Sequence, residues 1–533
     1  VSTAEFPATR GRELLGLWWK ERVRPLPWEA WCLLGLIVVA TAIRILVINN
    51  QSIWTDEALT AYEARLPFGS MVHVVLNIET TPPLYFGLIW VWAKIFGASV
   101  IALRSVSVIA GILLVPLAYQ CGRELVSRRV GLLAAAFVTV NPFLIWYSQE
   151  ARSYMLLTAL CGASFLWFLR ARRDPSRRHV VVWVVWSALA LMTHFFAGFL
   201  VAGEALWLLW LNRGRLMLVA AAALAVVQVA MIPFAASDAA HGTDWVGRIP
   251  LHSRVGNAIA EWGVSIMFRR TPVSTAFAVG ALLVALIALF VLVGGDRRTK
   301  TAARVLAFMV AAVWLVPIAL KVVHEDFFLS RNVMPAIIPA AVLLAAACLA
   351  PRTRVFGGVL AGVLLGLFCW SAIRVQTHPY LERPNWRSVA DAIGPAAAPR
   401  VILAANGTTA DPLKIYLPHA LWSEPLYRKM PVQEIYVVGA IKRLALLAPT
   451  SKADVARFGK RRLRTAMGAP LPARFAPPGA VLVRRFPLHN WVVAQFELLR
   501  PTRLNYVQVY AMARRFFHHA PRDLLVIFQR PGR

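Results

Sequence analysis

Two adjacent acids, Asp56 and Glu57, stand in Ile53-Trp54-Thr55-Asp56-Glu57-Ala58, directly after the first long apolar run. Carboxylates beside a membrane are costly and mark function by default. A carboxylate placed near a hydroxyl can take its proton as a general base. The plainer reading of the same residues is a helix N-cap made by Thr55-Asp56. Further along stand isolated arginines, Arg104, Arg152 and Arg331, whose planar, permanently charged forks match phosphate oxygens. His194 is a lone fourth donor candidate, and Gln149-Glu150 and Tyr85 are polar groups that can contact a substrate. Each has a plain alternative: Arg104 anchors a helix end, Arg152 pairs with Glu150, and His194 is hydrogen-bonded in the core.

The elements that must position these residues are membrane helices. The chain has 533 residues, 59% hydrophobic and 16% charged, with mean hydropathy +0.60, values that belong to polytopic membrane proteins. A net charge of +31 would suggest nucleic acid for a soluble protein. Here much of it lies in short loops between apolar runs, where it sets orientation, so no nucleic-acid partner is expected. All five cysteines fall in apolar stretches, which excludes a disulfide framework and a cysteine-rich metal site. The first apolar run, about 31–48, lacks a small-residue cleavage site and reads as a retained anchor.

Apolar runs lie at about 31–48, 82–97, 101–120, 130–147, 154–170, 179–197, 198–212, 215–235, 274–294, 303–322, 332–350 and 355–373. The basic N-terminus and the loops Arg170-Ala171-Arg172-Arg173, Arg213-Gly214-Arg215, Arg297-Arg298-Thr299-Lys300 and Arg352-Thr353-Arg354 all belong in the cytoplasm. Both conditions hold only if one run between residues 49 and 170 does not cross. The run 82–97 is short, opens with Pro82-Pro83 and carries Trp90, Trp92 and Lys94, so it reads as an interfacial helix. About eleven spans remain. Asp56-Glu57, Glu79, Arg104, Gln149 to Arg152, His194, Asp238, Asp244, His324-Glu325-Asp326 and Arg331 then all fall at or near the outer face. From about Gln376 the chain becomes polar, with β-branched runs such as Arg400-Val401-Ile402-Leu403 and Glu434-Ile435-Tyr436-Val437-Val438. These predict a small extracytoplasmic α/β domain over 376–533, following a membrane domain over 1–375 whose first outer loop covers 49–100. The basic surplus of that domain (Lys460-Arg461-Arg462, Arg484-Arg485, Arg514-Arg515) either opposes anionic lipid or wall polymer, or is a solvated surface.

Four motifs occur in order: Trp54-Thr55-Asp56-Glu57-Ala58, Thr81-Pro82-Pro83-Leu84-Tyr85, Leu103-Arg104-Ser105-Val106-Ser107 and Tyr147-Ser148-Gln149-Glu150-Ala151-Arg152-Ser153-Tyr154. Thr193-His194-Phe195, Phe328 to Pro335 and Arg383-Pro384-Asn385-Trp386-Arg387 follow. Over about residues 30–400 this order closely resembles family 39-like bacterial GT-C glycosyltransferases, related to protein O-mannosyltransferases and the lipid A aminoarabinose transferase. Asn332 departs from the pattern, since a tyrosine is usual after the arginine. The resemblance implies a polyprenyl-phosphate-linked sugar as donor, used on the outer face of the bacterial inner membrane. It implies inverting transfer to an acceptor hydroxyl on lipid, polysaccharide or protein. It maps the base onto Asp56, leaving Glu57 to position the loop or sugar, while fork chemistry and outer-face position give Arg331, Arg152 and Arg104, with His194 as a fourth donor candidate, to the donor phosphate. Gln149, Glu150 and Tyr85 are then substrate contacts. No cofactor is required, and a divalent ion on Asp56 with Glu150, or on His324-Glu325-Asp326, is the minor alternative. Two other classes fit an oily chain. A transporter or flippase would show internal repeats and midplane sites, and a scaffold would not need the acid at 56.

Overall fold

The computed structural model describes residues 27–79, 81–234, 244–263, 272–323, 326–378, 381, 383–405, 411–417, 419–421, 427–440, 479–488, 491–513 and 524–531. Asp238, His324, Glu325, the basic residues up to Arg24, Lys460-Arg461-Arg462 and Arg514-Arg515 lie outside them. Among the described residues seven helices are long and apolar enough to cross a membrane: Trp28–Val47, Val100–Leu125, Tyr154–Arg173, Arg215–Phe234, Val273–Gly294, Arg297–Leu320 and Pro351–Thr377. The protein is a multi-pass membrane protein.

Eleven spans are not reached on these criteria, and the reasons are local. The expected span 130–147 is a bent pair, Arg128–Val140 and Pro142–Ser148, meeting at 56°, which makes an eighth crossing if counted as one. Pro142 has no N–H to give Val138 in the preceding turn, so the helix must break there. Asn141 restarts it by accepting from Phe143 and Leu144 N–H (3.0 and 3.1 Å). Arg177–Thr193, Ala197–Leu211 and Ile337–Cys348 are helical but shorter. The run 82–97 folds as Leu84–Phe96, thirteen residues, roughly 20 Å at 1.5 Å per residue. That is short of the roughly 30 Å a bilayer core demands. Its Trp90 and Trp92 indoles donate to the Leu66 and Ala102 carbonyls (2.9 and 3.0 Å), so protein groups take their polar edges.

The helices pack around one large apolar core. Val100–Leu125 and Arg128–Val140 form a hairpin that comes close at Gly122 and Gly131. A Cβ on Gly131 would stand 2.3 Å from the Tyr119 carbonyl oxygen. The loop 49–100 adds a smaller cluster in which Tyr85, Phe86 and Ile89 pack with Ala61, Met71, Val75 and Leu103.

Beyond Arg354–Thr377 the chain builds a five-stranded mixed sheet from β1 (Arg400–Ala405), β2 (Met430–Ala440), β3 (Ala480–Leu488), β4 (Trp491–Leu504) and β5 (Leu524–Gln529). The strand order is β3-β4-β2-β1-β5; β1 and β2 are parallel and the other pairs antiparallel. Alternate residues feed two faces. Val401, Leu403, Ile435 and Val437 pack toward the Tyr506–Ala513 helix, while Ile402, Ala404, Tyr436 and Val438 pack toward the Trp386–Ile393 helix. The domain touches the first outer loop along a seam. Arg387 donates to the Asn49 carbonyl and side chain (3.0 and 2.7 Å), and Ile53 N–H donates to the Tyr416 hydroxyl (2.9 Å).

Candidate active site

The Thr55–Glu63 helix begins after Trp54, so Thr55 and Asp56 lie in its first turn and neither is the cap. Glu57, one step round the helix, points into the protein. Arg104 grips it with two bonds, Nε to Oε1 at 2.7 Å and Nη2 to Oε2 at 2.8 Å. Ala151 N–H (2.9 Å) and Arg383 Nη1 (3.0 Å) also donate to it. Burial alone would push the Glu57 carboxyl up, but Arg104, then Arg383 and the Ala151 N–H, hold it below the ordinary range. Arg104 gives its other bonds to the Ile48 and Gln51 carbonyls (3.0 and 2.8 Å) and is fully buried. These bonds to protein groups fix the start of the loop 49–100.

Arg152 is similarly engaged. It makes a two-pronged pair with Glu79 (2.8 and 3.1 Å) and donates to Thr60 Oγ1 (3.1 Å) and the Asp56 carbonyl (3.4 Å). Beside it sits Glu63, an acid given no role by its sequence setting. Both its oxygens are buried. Burial first, then the neighbouring Glu79, push its carboxyl up to about 9, so it holds a proton at neutral pH. Tyr85 is completely buried, its hydroxyl without a hydrogen bond among the described residues, beside Arg152, Glu57, Glu63 and Glu79.

The turn after Pro142–Ser148 presents Gln149 and Glu150. Ser107 ties it down by donating to the Glu150 carbonyl (2.5 Å). Arg383 bonds Glu150 Oε1, leaving Oε2 without a hydrogen bond. Burial pushes this carboxyl up to about 7, against the pull of Arg383. Gln149 is buried and its carbonyl accepts from Arg383 (3.4 Å).

Arg331 is held from the opposite side by the Leu251–Gly263 helix. Arg254 pairs with Asp326 (2.7 and 2.6 Å) and donates to the Phe328 carbonyl (2.9 Å). Trp262 donates to the Ser330 carbonyl (3.2 Å) and Ser330 bonds Glu261. Asn332, at the departure from the family pattern, closes the turn by donating to the Phe327 carbonyl (2.6 Å). So braced, the Arg331 guanidinium stands 5.5 Å from the Tyr154 ring and 6.0 Å from the Trp54 ring. Tyr154, Tyr147, Asp56 and Glu150 are the groups that bear on it electrostatically. His194 is buried, stacked on Phe196 (4.8 Å) and near Tyr154 (5.7 Å).

The structure therefore brings Asp56, Glu57, Arg104, Gln149, Glu150, Arg152, Tyr85 and Arg331 into one neighbourhood, with His194 joined through Tyr154. Glu57, Glu63, Glu79 and Glu150 are buried; Asp56 is not. Arg383 is the site member whose role its sequence setting did not announce, although its Arg-Pro-Asn-Trp-Arg motif marked the place. Among the described residues no three His, Cys, Asp or Glu side chains gather closely enough to share an ion. Asp326 belongs to Arg254 and Lys321.

A family model for dolichyl-phosphate-mannose-protein mannosyltransferases matches residues 80–237, which carry Tyr85, Arg104, the Gln149–Arg152 turn and His194. ArnT from Cupriavidus metallidurans in the apo state superimposes with a TM-score of 0.53 at 14% identity, covering 87% of this chain and 98% of ArnT. The chain has the GT-C fold. The same ArnT bound to undecaprenyl phosphate gives 0.49 at 13% identity, covering 87% and 97%. The archaeal oligosaccharyltransferase AglB from Archaeoglobus fulgidus, with an inhibitory peptide and a dolichol-phosphate, gives 0.40 at 12%, covering 92% and 75%. No curated protein sequence matches the chain.

Proposed function

We propose that this protein is a membrane glycosyltransferase that moves a sugar from a polyprenyl-phosphate-linked donor to an acceptor hydroxyl on the extracytoplasmic face. Asp56 takes the proton from the acceptor hydroxyl. The acceptor oxygen attacks the anomeric carbon as the bond from that carbon to the phosphate oxygen breaks, and polyprenyl phosphate leaves with the electron pair. One in-line displacement inverts the anomeric centre. The leaving group is already good, so a base is needed and an acid is not. Arg331 meets the phosphate, whose charge grows as the bond breaks. Glu57 with Arg104 and Glu79 with Arg152 act as the struts of the loop that carries Asp56.

The observation that carries this reading is the contrast among these five acids: Glu57, Glu63, Glu79 and Glu150 are buried, and Asp56 is partly exposed. The fold shared with ArnT, a protein captured with undecaprenyl phosphate, supports the class of donor. The test is release of polyprenyl phosphate from a polyprenyl-phosphate sugar by the purified protein. Asp56→Asn keeps shape and loses basicity, so turnover should fall by about 10²–10⁴ while lipid binding survives. Undiminished turnover in Asp56→Asn refutes the base assignment.

A further inference from the structure

Arg383 lies in the short connection between the last membrane helix and the outer domain, three residues before Trp386, which is buried under the sheet. It turns back into the first outer loop. Its backbone N–H donates to Gln51 Oε1 (2.9 Å), its Nη1 to Glu57 Oε2 (3.0 Å) and the Gln149 carbonyl (3.4 Å), and its Nη2 to Glu150 Oε1. The guanidinium lies 4.6 Å from the Trp146 ring and 5.9 Å from the Trp54 ring. Glu57 already has Arg104 as a two-pronged partner. Among the described residues Glu150 has no other cation at bonding distance, its second oxygen is unbonded, and Arg331 is the next positive charge bearing on it.

We propose that Arg383 is a positioning residue for the transfer reaction: it occupies Glu150, so that this carboxylate does not compete with the donor phosphate for Arg331. Through its side chain on Glu57 and its backbone N–H on Gln51, the same residue ties the start of the outer domain to the loop carrying Asp56. The outer domain is then part of the working site and not an appendage. This inference rests on the phosphate role proposed for Arg331.

The experiment measures undecaprenyl phosphate affinity of the full-length protein in nanodiscs for the parent, Arg383→Gln, Arg383→Lys and the double variant Arg383→Gln/Glu150→Gln. Releasing a buried carboxylate onto Arg331 should weaken binding about tenfold or more in Arg383→Gln. Arg383→Lys keeps a charge without the fork and should fall between. Removing the competing carboxylate in the double variant should restore affinity to near the parent, a rescue that a packing role would not give. A double variant as weak as Arg383→Gln, or single variants that bind like the parent, overturns the inference while the phosphate reading stands. A parent that does not bind undecaprenyl phosphate overturns the phosphate reading, and this inference with it.

Discussion

Asp56 and Glu57 acquire opposite surroundings because one helical step of about 100° separates them. The step turns Glu57 onto Arg104 and leaves Asp56 partly exposed. The pair was legible as chemistry because acids after a 31–48 apolar run are conspicuous. The partners of Glu57 were not, because they lie 47, 94 and 326 residues away, at Arg104, Ala151 and Arg383. Glu63 gives a prediction at this scale. Its carboxyl goes from the ordinary 4.5 to about 9 on folding, so between those values the folded state holds a proton the unfolded state has released. Stability contributed this way is complete below pH 4.5 and is lost as pH rises toward 9, by at most about 1.4 kcal/mol per pH unit. Melting of the detergent-solubilised parent should therefore fall from pH 6 to pH 9, and Glu63→Gln should flatten that slope. A slope unchanged in Glu63→Gln would mean that Glu63 ionises normally.

The element that most directly sets the site is the broken helix before Gln149, and Arg44 holds its break. Arg44 is the one charged residue of the 31–48 run and is completely buried, without a carboxylate partner. It donates instead to the Thr139 carbonyl (3.2 Å), the Val138 carbonyl (3.4 Å), the Ala40 carbonyl (3.3 Å) and Ser148 Oγ (3.1 Å). Val138 and Thr139 are carbonyls the break leaves open, since Pro142 has no N–H and Phe143 N–H goes to Asn141. The sequence carried a signal for this, a lone arginine in a span and an Asn-Pro pair in another, but no spacing rule joins residue 44 to residue 138. Arg44→Met should leave these carbonyls without donors, at about 1–3 kcal/mol each. Thermal unfolding of the purified variant should shift down by several degrees; an unshifted midpoint would show that other groups hold the break.

On the scale of the whole molecule, the alternating β-branched runs after Gln376 were enough to expect a sheet, and β1 and β2 contain Arg400-Val401-Ile402-Leu403 and Glu434 to Val438. The strand order and the antiparallel return of β4 and β5 depend on segments whose patterns are weaker, and so emerged only in three dimensions. Among the described residues the expected spans at 130–147, 179–197 and 198–212 fold as helices shortened by breaks at Pro142 and at His194 to Phe196. The sorting of basic loops to one side predicts the placement of the outer domain. Tyr427, 85% exposed, offers a probe of it. Tyr427→Cys should react with a membrane-impermeant maleimide in intact spheroplasts without permeabilisation, and labelling only after permeabilisation would reverse the orientation.

All three scales meet at the position of a lipid phosphate. The most direct measurement is a structure of the full-length protein in nanodiscs with undecaprenyl phosphate bound. The account predicts the phosphate within hydrogen-bond reach of the Arg331 guanidinium, on the side facing Asp56, with Arg104 still on Glu57 and Arg152 still on Glu79. A phosphate bound to Arg104 or Arg152 in place of those carboxylates, or seated away from Asp56, would contradict it.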